Sequence, residues 1–335
     1  MAMLPGQTVR SLAVVTGAAF LVVAACGASV TPRPSSTGSS PAGPGASPSA
    51  TPSAPSPTLP PASAPPSLPP ASGEPAEPLT ETLDRSTFND PTTIDNAWSP
   101  MPAGTQLVLE GKANTDEGRV SRKVTFTITD LTKVIDGVRS VVVYEQDYTA
   151  GELEESELSF YAQDDGGTVW LMGEYPEEYD GGKFDKAPTW ISGFKDASAG
   201  ILMKAAPTLG ERSYAEGWGP QVGWNDRAKI FEMSSKTCVP TGCYDDVLVI
   251  DEFNPDEPDA HQLKYYARGV GTVRVGWAGA LEEEQEALQL TRFVHLDAGL
   301  MAKVRASAIA LDKHGYQVSK DVYANTPPIA SPSSY

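Results

Sequence analysis

Between Thr105 and Leu296 the chain runs as short segments of period two, apolar against polar, broken by turn-forming residues. That alternation predicts strands that turn one face toward a core. Thr105–Glu110 and Val120–Thr129 open the series. Asp136-Gly137 then separates Lys133–Ile135 from the β-branched run Val138–Tyr144, and Ala150-Gly151 separates Tyr144–Tyr148 from Leu153–Tyr161. Both are hairpin signals. Asp164-Asp165-Gly166-Gly167 turns into Thr168–Met172, and Tyr175 to Gly200 reads as a long irregular stretch. Further strands are expected over Arg212–Glu216, Ala228–Met233, Val247–Phe253, Gln262–Ala267, Thr272–Gly276 and Glu286–Leu296. Successive hairpins imply a mainly β (α+β) fold built on an antiparallel meander. So many strands should curl into a curved sheet or half-barrel rather than stay flat. "LSFYAQDDGGTVW" and "LKYYARGVGTVRV" echo each other, a pattern that either a duplication or common hairpin chemistry explains.

The period changes at Asp297. Leu300, Val304, Ala308 and Leu311 fall three or four residues apart, with Asp297 placed to cap and Gly315 placed beyond the end. A helix over about 297–313 is expected, packed on the sheet, with "DVYANTPPIA" as a peripheral tail.

The amino-terminal 80 residues follow different rules. Ser11 to Ala25 is apolar, small and uncharged, and too short to span a bilayer, which takes about 20 residues in a helix. It suits the core of a secretory signal peptide. Val23-Ala24-Ala25-Cys26 resembles the lipobox of bacterial lipoproteins, which implies cleavage after residue 25 and acylation of Cys26. Each buried acyl methylene contributes about 0.8 kcal/mol, and more than one chain gives stable anchoring. Gly27 to Thr80 holds 16 of the chain's 30 prolines among Ser, Ala and Gly. It cannot bury enough surface to offset its ordering entropy, so 26–80 is expected to be a disordered tether. Extended, it would reach on the order of 150 Å. Residues 81–335 are expected to form a single extracytoplasmic domain.

Charge narrows the partners. Arg10 and Arg33 balance Glu74 and Glu77, so the whole net charge of −18 lies beyond residue 80. Such a domain repels phosphate backbones, and nucleic acid is not expected as a partner. Cys238 and Cys243 flank Val239-Pro240-Thr241-Gly242, which has turn chemistry, and export supplies an oxidising compartment. A hairpin disulfide is expected; a metal half-site would need a second cysteine pair.

His261, His295 and His314 are scattered without zinc spacing, and no G-x-S-x-G, phosphate loop or calcium loop occurs. No catalytic residue, metal ligand or cofactor is therefore assigned. Acids crowd two stretches, Glu174, Glu177, Glu178, Asp180 and Asp185, then Asp251, Glu252, Asp256, Glu257 and Asp259. A pair of them could hydrolyse glycans or a set could hold a hard cation; solvated loops on an acidic protein explain them equally. Trp218 and Trp224 bracket "GPQVG", and Tyr175, Tyr179 and Trp190 fall in the expected irregular stretch. These five are the candidate ligand-binding residues, either as exposed stacking platforms or as the closed end of a β core.

Pro91-Thr92-Thr93-Ile94-Asp95-Asn96 with Pro102-Ala103-Gly104-Thr105, the phrase "YYARGVGTV", and the closing helix with "HGYQVSKDVY" resemble a family of exported β-rich bacterial proteins, often lipoproteins. The resemblance implies an extracytoplasmic β domain and no particular substrate; the cysteine pair would be a local addition to it. The chain is thus expected to be a lipid-anchored protein on the extracytoplasmic face of the cell membrane. Its expected role is a non-enzymatic binding or carrier module for a hydrophobic ligand, an envelope glycan or an envelope protein. A glycan hydrolase using a carboxylate pair is the alternative, and a structural or stress-related surface protein the third reading.

Overall fold

Two-residue loops set the first half of the sheet. In the computed structural model, which describes residues 78–115, 118–280 and 285–331, Asp136 and Gly137 take φ +49° and +82°, and Ala150 and Gly151 take +52° and +91°. Two successive positive φ values make the tight hairpin turn whose twist matches the flanking strands. Around these turns β1 (Thr105–Thr115), β2 (Gly118–Ile135), β3 (Val138–Thr149), β4 (Glu152–Gln163) and β5 (Val169–Asp180) form an antiparallel meander. Cys26, the signal peptide and nearly all of the tether lie outside the described residues.

Beyond β5 the chain is more regular than its composition suggests. Tyr175–Asp180 completes β5, and β6 (Lys183–Lys186), β7 (Trp190–Ile191) and β8 (Ser198–Met203) all pair with it. The expected irregular stretch is therefore largely strand. Pro176 and the run of acids hid it, because neighbouring strands rather than local propensity hold these residues extended. After β9 (Tyr214–Ala215) and β10 (Gly217–Trp218), a second meander follows: β11 (Arg227–Val239), β12 (Gly242–Phe253), β13 (His261–Ala267), β14 (Gly271–Ala278) and β15 (Glu286–His295). Cys238 and Cys243 pair across β11 and β12 and form the disulfide.

β1 pairs with β15 and joins the two meanders. The other ends meet through one short segment. Tyr214 and Ala215 pair with Ala228 and Arg227 of β11, while Gly217 and Trp218 pair with Ala199 and Ser198 of β8. Residues 214–218 thus stitch the sheet into a nearly closed barrel, with Glu216 between the two stitches. The amino-terminal segment clasps this seam: Arg227 donates to Pro78 O at 2.9 Å and to Ser213 Oγ at 2.7 Å, and Ala215 N donates to Glu81 Oε1 at 3.2 Å. The sequence echo falls on β4–β5, which ends one meander, and on β13–β14, which lies inside the other. Unequal positions favour shared hairpin chemistry over duplication.

The wall carries apolar side chains on both faces. One cluster draws Leu109, Val143, Tyr161, Leu171, Ile250, Val275 and Leu290 from around the whole sheet and so fills the barrel interior. The other, with Leu131, Val142, Leu158, Phe160 and Met172, lies on the outer face of β2–β5 under the helix α1 (Ala298–Val318). The helix therefore packs on the sheet as expected, along the wall and on a filled apolar layer.

Asp297 caps α1 by accepting from Leu300 N at 2.8 Å. The helix runs to Val318, past the expected end, and Gly315 lies inside it. A Cβ on Gly315 would sit 2.6 Å from the Tyr323 ring and 3.0 Å from Tyr175, so the glycine serves close packing rather than termination. Leu300, expected in the buried stripe, is exposed, whereas Asp312 is buried and accepts from Lys133 Nζ at 2.8 Å. The Lys133 ammonium also faces the Tyr323 ring at 4.2 Å and donates to Pro327 O at 2.7 Å, which pins helix and tail to the wall. Alanine at an interior helix glycine ordinarily gains up to about 1 kcal/mol. Gly315→Ala should instead lose about 1–3 kcal/mol through overpacking. Chemical denaturation of the variant checks this; a gain in stability would contradict the ring contact.

Candidate functional site

Charge enters the barrel by the parity of its strands. On β3 Val141 and Val143 face the interior, so the residues two and four further along, Glu145 and Asp147, face it too. Across the Ala150-Gly151 hairpin, Glu157 stands opposite Glu145 and Glu155 opposite Asp147. Directly opposed side chains on neighbouring strands have Cβ atoms about 5 Å apart. A block of four carboxyl groups therefore lines one side of the interior. Glu174 of β5, Glu216 of the seam, Asp226 before β11 and Glu252 of β12 extend it; these eight acids are each at most 5% exposed.

Two buried cations answer them. Lys264 of β13 has its Nζ 2.5 Å from Glu252 Oε2. Burial disfavours its charge, yet the fields of Glu252, Glu216 and Glu145 hold its pKa above the ordinary lysine value. Arg122 of β2 reaches Asp147 Oδ2 at 2.6 Å, Glu154 Oε2 at 2.9 Å and Glu286 Oε1 at 3.1 Å. Two cations for this many carboxylates leave a deficit. Burial pushes Glu145, Glu155, Glu174, Glu216 and Asp226 well above the usual carboxylate range, and neighbouring acids push them further. For Glu155 the largest contribution after burial is the field of Glu157.

Hydrogen bonding inside the protein is incomplete in the same place. Ser159 Oγ donates to Glu157 Oε1 at 2.7 Å, and Trp190 Nε1 donates to Glu174 Oε2 at 2.8 Å. Glu145 Oε1, Glu155 Oε1, Glu157 Oε2, Asp226 Oδ1 and both oxygens of Glu216 have no protein partner. Nor do the Tyr214 hydroxyl and the Trp224 indole N–H, both on buried side chains. Buried polar groups in folded proteins are nearly always bonded, to protein or to a bound molecule.

The structure brings two of the sequence-predicted residues to this interior. Trp190 and Trp224 stack with ring centroids 5.7 Å apart, and both are buried. Gly217 makes room for them, since a Cβ there would lie 2.5 Å from Trp224 Nε1 and 2.6 Å from the Trp190 ring. Neither is an exposed stacking platform, and Trp218 is half-buried on β10. Tyr175 and Tyr179 belong to the outer face instead, where their hydroxyls donate to Glu177 and His314 Nδ1 meets Glu177 Oε1 at 2.6 Å.

The two predicted acid stretches divide. Glu174 and Glu252 point inward, Glu177 binds tyrosines outside the barrel, and Asp251 Oδ1 lies 2.7 Å from His261 Nδ1. Six of the interior acids, Glu145, Asp147, Glu155, Glu157, Glu216 and Asp226, fall outside both stretches. The signal that would have found the first four is the shared parity of acids and valines along the β3–β4 hairpin.

None of the protein-family models matches this sequence, and neither does any curated protein. Two solved structures are similar to parts of it. One is a "putative exported protein with YMCC-like fold" from Bacteroides fragilis NCTC 9343, 13% identical, covering 59% of this chain and 99% of its own, with a TM-score of 0.36. The other is a "putative lipoprotein" from Parabacteroides distasonis ATCC 8503, 12% identical, covering 60% and 100%, also with a TM-score of 0.36.

Proposed function

We propose that the chain is an extracytoplasmic lipoprotein, anchored through acylated Cys26, whose barrel is a non-enzymatic binding module for a hydrophilic small molecule. The observation that carries the binding role is the set of buried interior groups without a protein partner, acceptors on Glu145, Glu155, Glu157 and Glu216 and donors on Tyr214 and Trp224. The sequence supports the anchor, through the apolar core that ends on Cys26. A hydrophobic cargo under α1 fits less well, because Leu131, Val142, Leu158 and Phe160 already fill that layer. Hydrolysis of an envelope polymer also fits less well. Glu174 and Glu252, the inward members of the two acid stretches, are each at most 5% exposed and offer a polymer no open cleft.

Native mass spectrometry of the full chain extracted from membranes tests both parts. The expected result is a mass carrying the acyl chains plus a small molecule that dissociates at pH 4, where every interior carboxyl group carries its proton. An unacylated chain would remove the anchor. An acylated chain with no bound small molecule at pH 7.5 would remove the binding role.

A further inference from the structure

We infer that the barrel interior takes an organic cation, an aliphatic amine or guanidinium compound, seated against Glu216 and Asp226. This rests on the binding role proposed above and adds the ligand's class. The first observation is the imbalance of charge: eight buried acids surround one buried lysine and one buried arginine. The second is independent of it. The Tyr214 hydroxyl, buried and without a protein partner, lies in the field of Glu216 and Glu252. As an acceptor, that hydroxyl can take a hydrogen bond from an ammonium or guanidinium group. Unanswered acceptors outnumber unanswered donors around this spot, so the complementary ligand is rich in donors and positively charged.

The form of the cation follows from the walls. Among the described residues no three carboxylate, histidine or cysteine side chains converge as a metal shell, which disfavours a bare divalent ion. The stacked Trp190 and Trp224 rings give an aromatic surface next to the acids, which suits an amine or guanidinium bearing carbon. Glu216 holds the decisive place. It lies on the segment that closes the barrel, held by two registered pairs on each side, and neither of its carboxylate oxygens has a protein partner. A cation bound there would bridge the seam to the acids of the opposite wall.

Isothermal titration and thermal melting of the full chain in detergent at pH 7.5, with putrescine, agmatine, sorbitol and calcium chloride as separate probes, test the inference. Putrescine or agmatine should bind and raise Tm, while sorbitol and calcium should not. Glu216→Gln and Asp226→Asn should each weaken amine binding by about tenfold or more, the loss of one charge-assisted hydrogen bond. Glu177→Gln, outside the barrel, should leave it unchanged. Binding of sorbitol but not of the amines, lost in Glu216→Gln, would overturn the cation and keep the binding role. Binding of calcium alone would overturn the organic class. Amine binding unaffected by both interior variants would overturn the site. Failure of all four probes, with no small molecule carried by the membrane-extracted chain, would overturn the binding role itself.

Discussion

Glu145→Gln is expected to stabilise the ligand-free protein at pH 8 and to leave it nearly unchanged at pH 4.5. Glu145 is buried beside Asp147, Glu157 and Glu174, with Lys264 as the opposing charge, and its pKa is raised well above that of a free glutamate. The sign follows from proton linkage. A carboxyl whose folded-state pKa exceeds its unfolded value binds its proton more tightly when folded. Its favourable contribution is complete below the unfolded pKa of 4.5 and is lost as pH rises toward the folded pKa. Glu155, Glu174, Glu216 and Asp226 are raised in the same direction. The ligand-free chain should therefore be more stable at pH 5 than at pH 8, the reverse of a protein held together by surface carboxylates. A tenfold difference in proton affinity between the folded and unfolded chain corresponds to about 1.4 kcal/mol. Removing one ionisable interior carboxyl should therefore gain about 1–4 kcal/mol at pH 8. Denaturant titrations of both forms at the two pH values check this. Equal destabilisation at both would show that Glu145 acts as an ionised structural partner.

The opposite outcome is expected at Lys264. Its ammonium pairs with Glu252 and stands in the field of Glu216 and Glu145, all buried. Lys264→Met keeps most of the volume and removes the charge. Breaking a buried pair by deleting one partner costs about 3–5 kcal/mol, because the other charge is left uncompensated. The loss should be seen at pH 8 and should shrink at pH 5, where the acids can take up protons. Adding Glu252→Gln to Lys264→Met should restore part of the stability, since the amide carries no charge to strand. A double variant no more stable than the single one would mean that packing, not charge, makes Lys264 indispensable.

Much of the fold was legible because its instructions are local. Asp136-Gly137 and Ala150-Gly151 specify their turns with two residues each, Asp297 caps the helix it precedes, and Cys238 and Cys243 need only the turn between them. Closure of the barrel was not legible, since the pairings of Tyr214–Ala215 and Gly217–Trp218 are too short to show any period. Gly315 looked like a helix end because the rings that require it come from Tyr175 and Tyr323. The site was obscured by the expectation that charge faces water. Along Val141, Val143, Glu145 and Asp147 the parity is plain, but the rule that acids turn outward assigns the wrong face to the second pair. The stacking of Trp190 on Trp224 was not legible, since it depends on a tertiary contact across 34 positions of sequence.

The proposed chamber requires interior carboxyl groups that retain protons which ordinary surface acids release. Carbon-13 NMR of the full chain labelled at the Glu and Asp carboxyl carbons, titrated from pH 3 to 9 in amine-free buffer, observes them directly. Several resonances, assigned to Glu145, Glu155, Glu216 and Asp226 by their loss in the amide variants, should still be in the protonated form where the surface carboxyl groups have already released their protons. If instead every carboxyl carbon completed its titration below pH 5, the barrel would hold no charge-starved chamber, and the binding site placed there would fall with it.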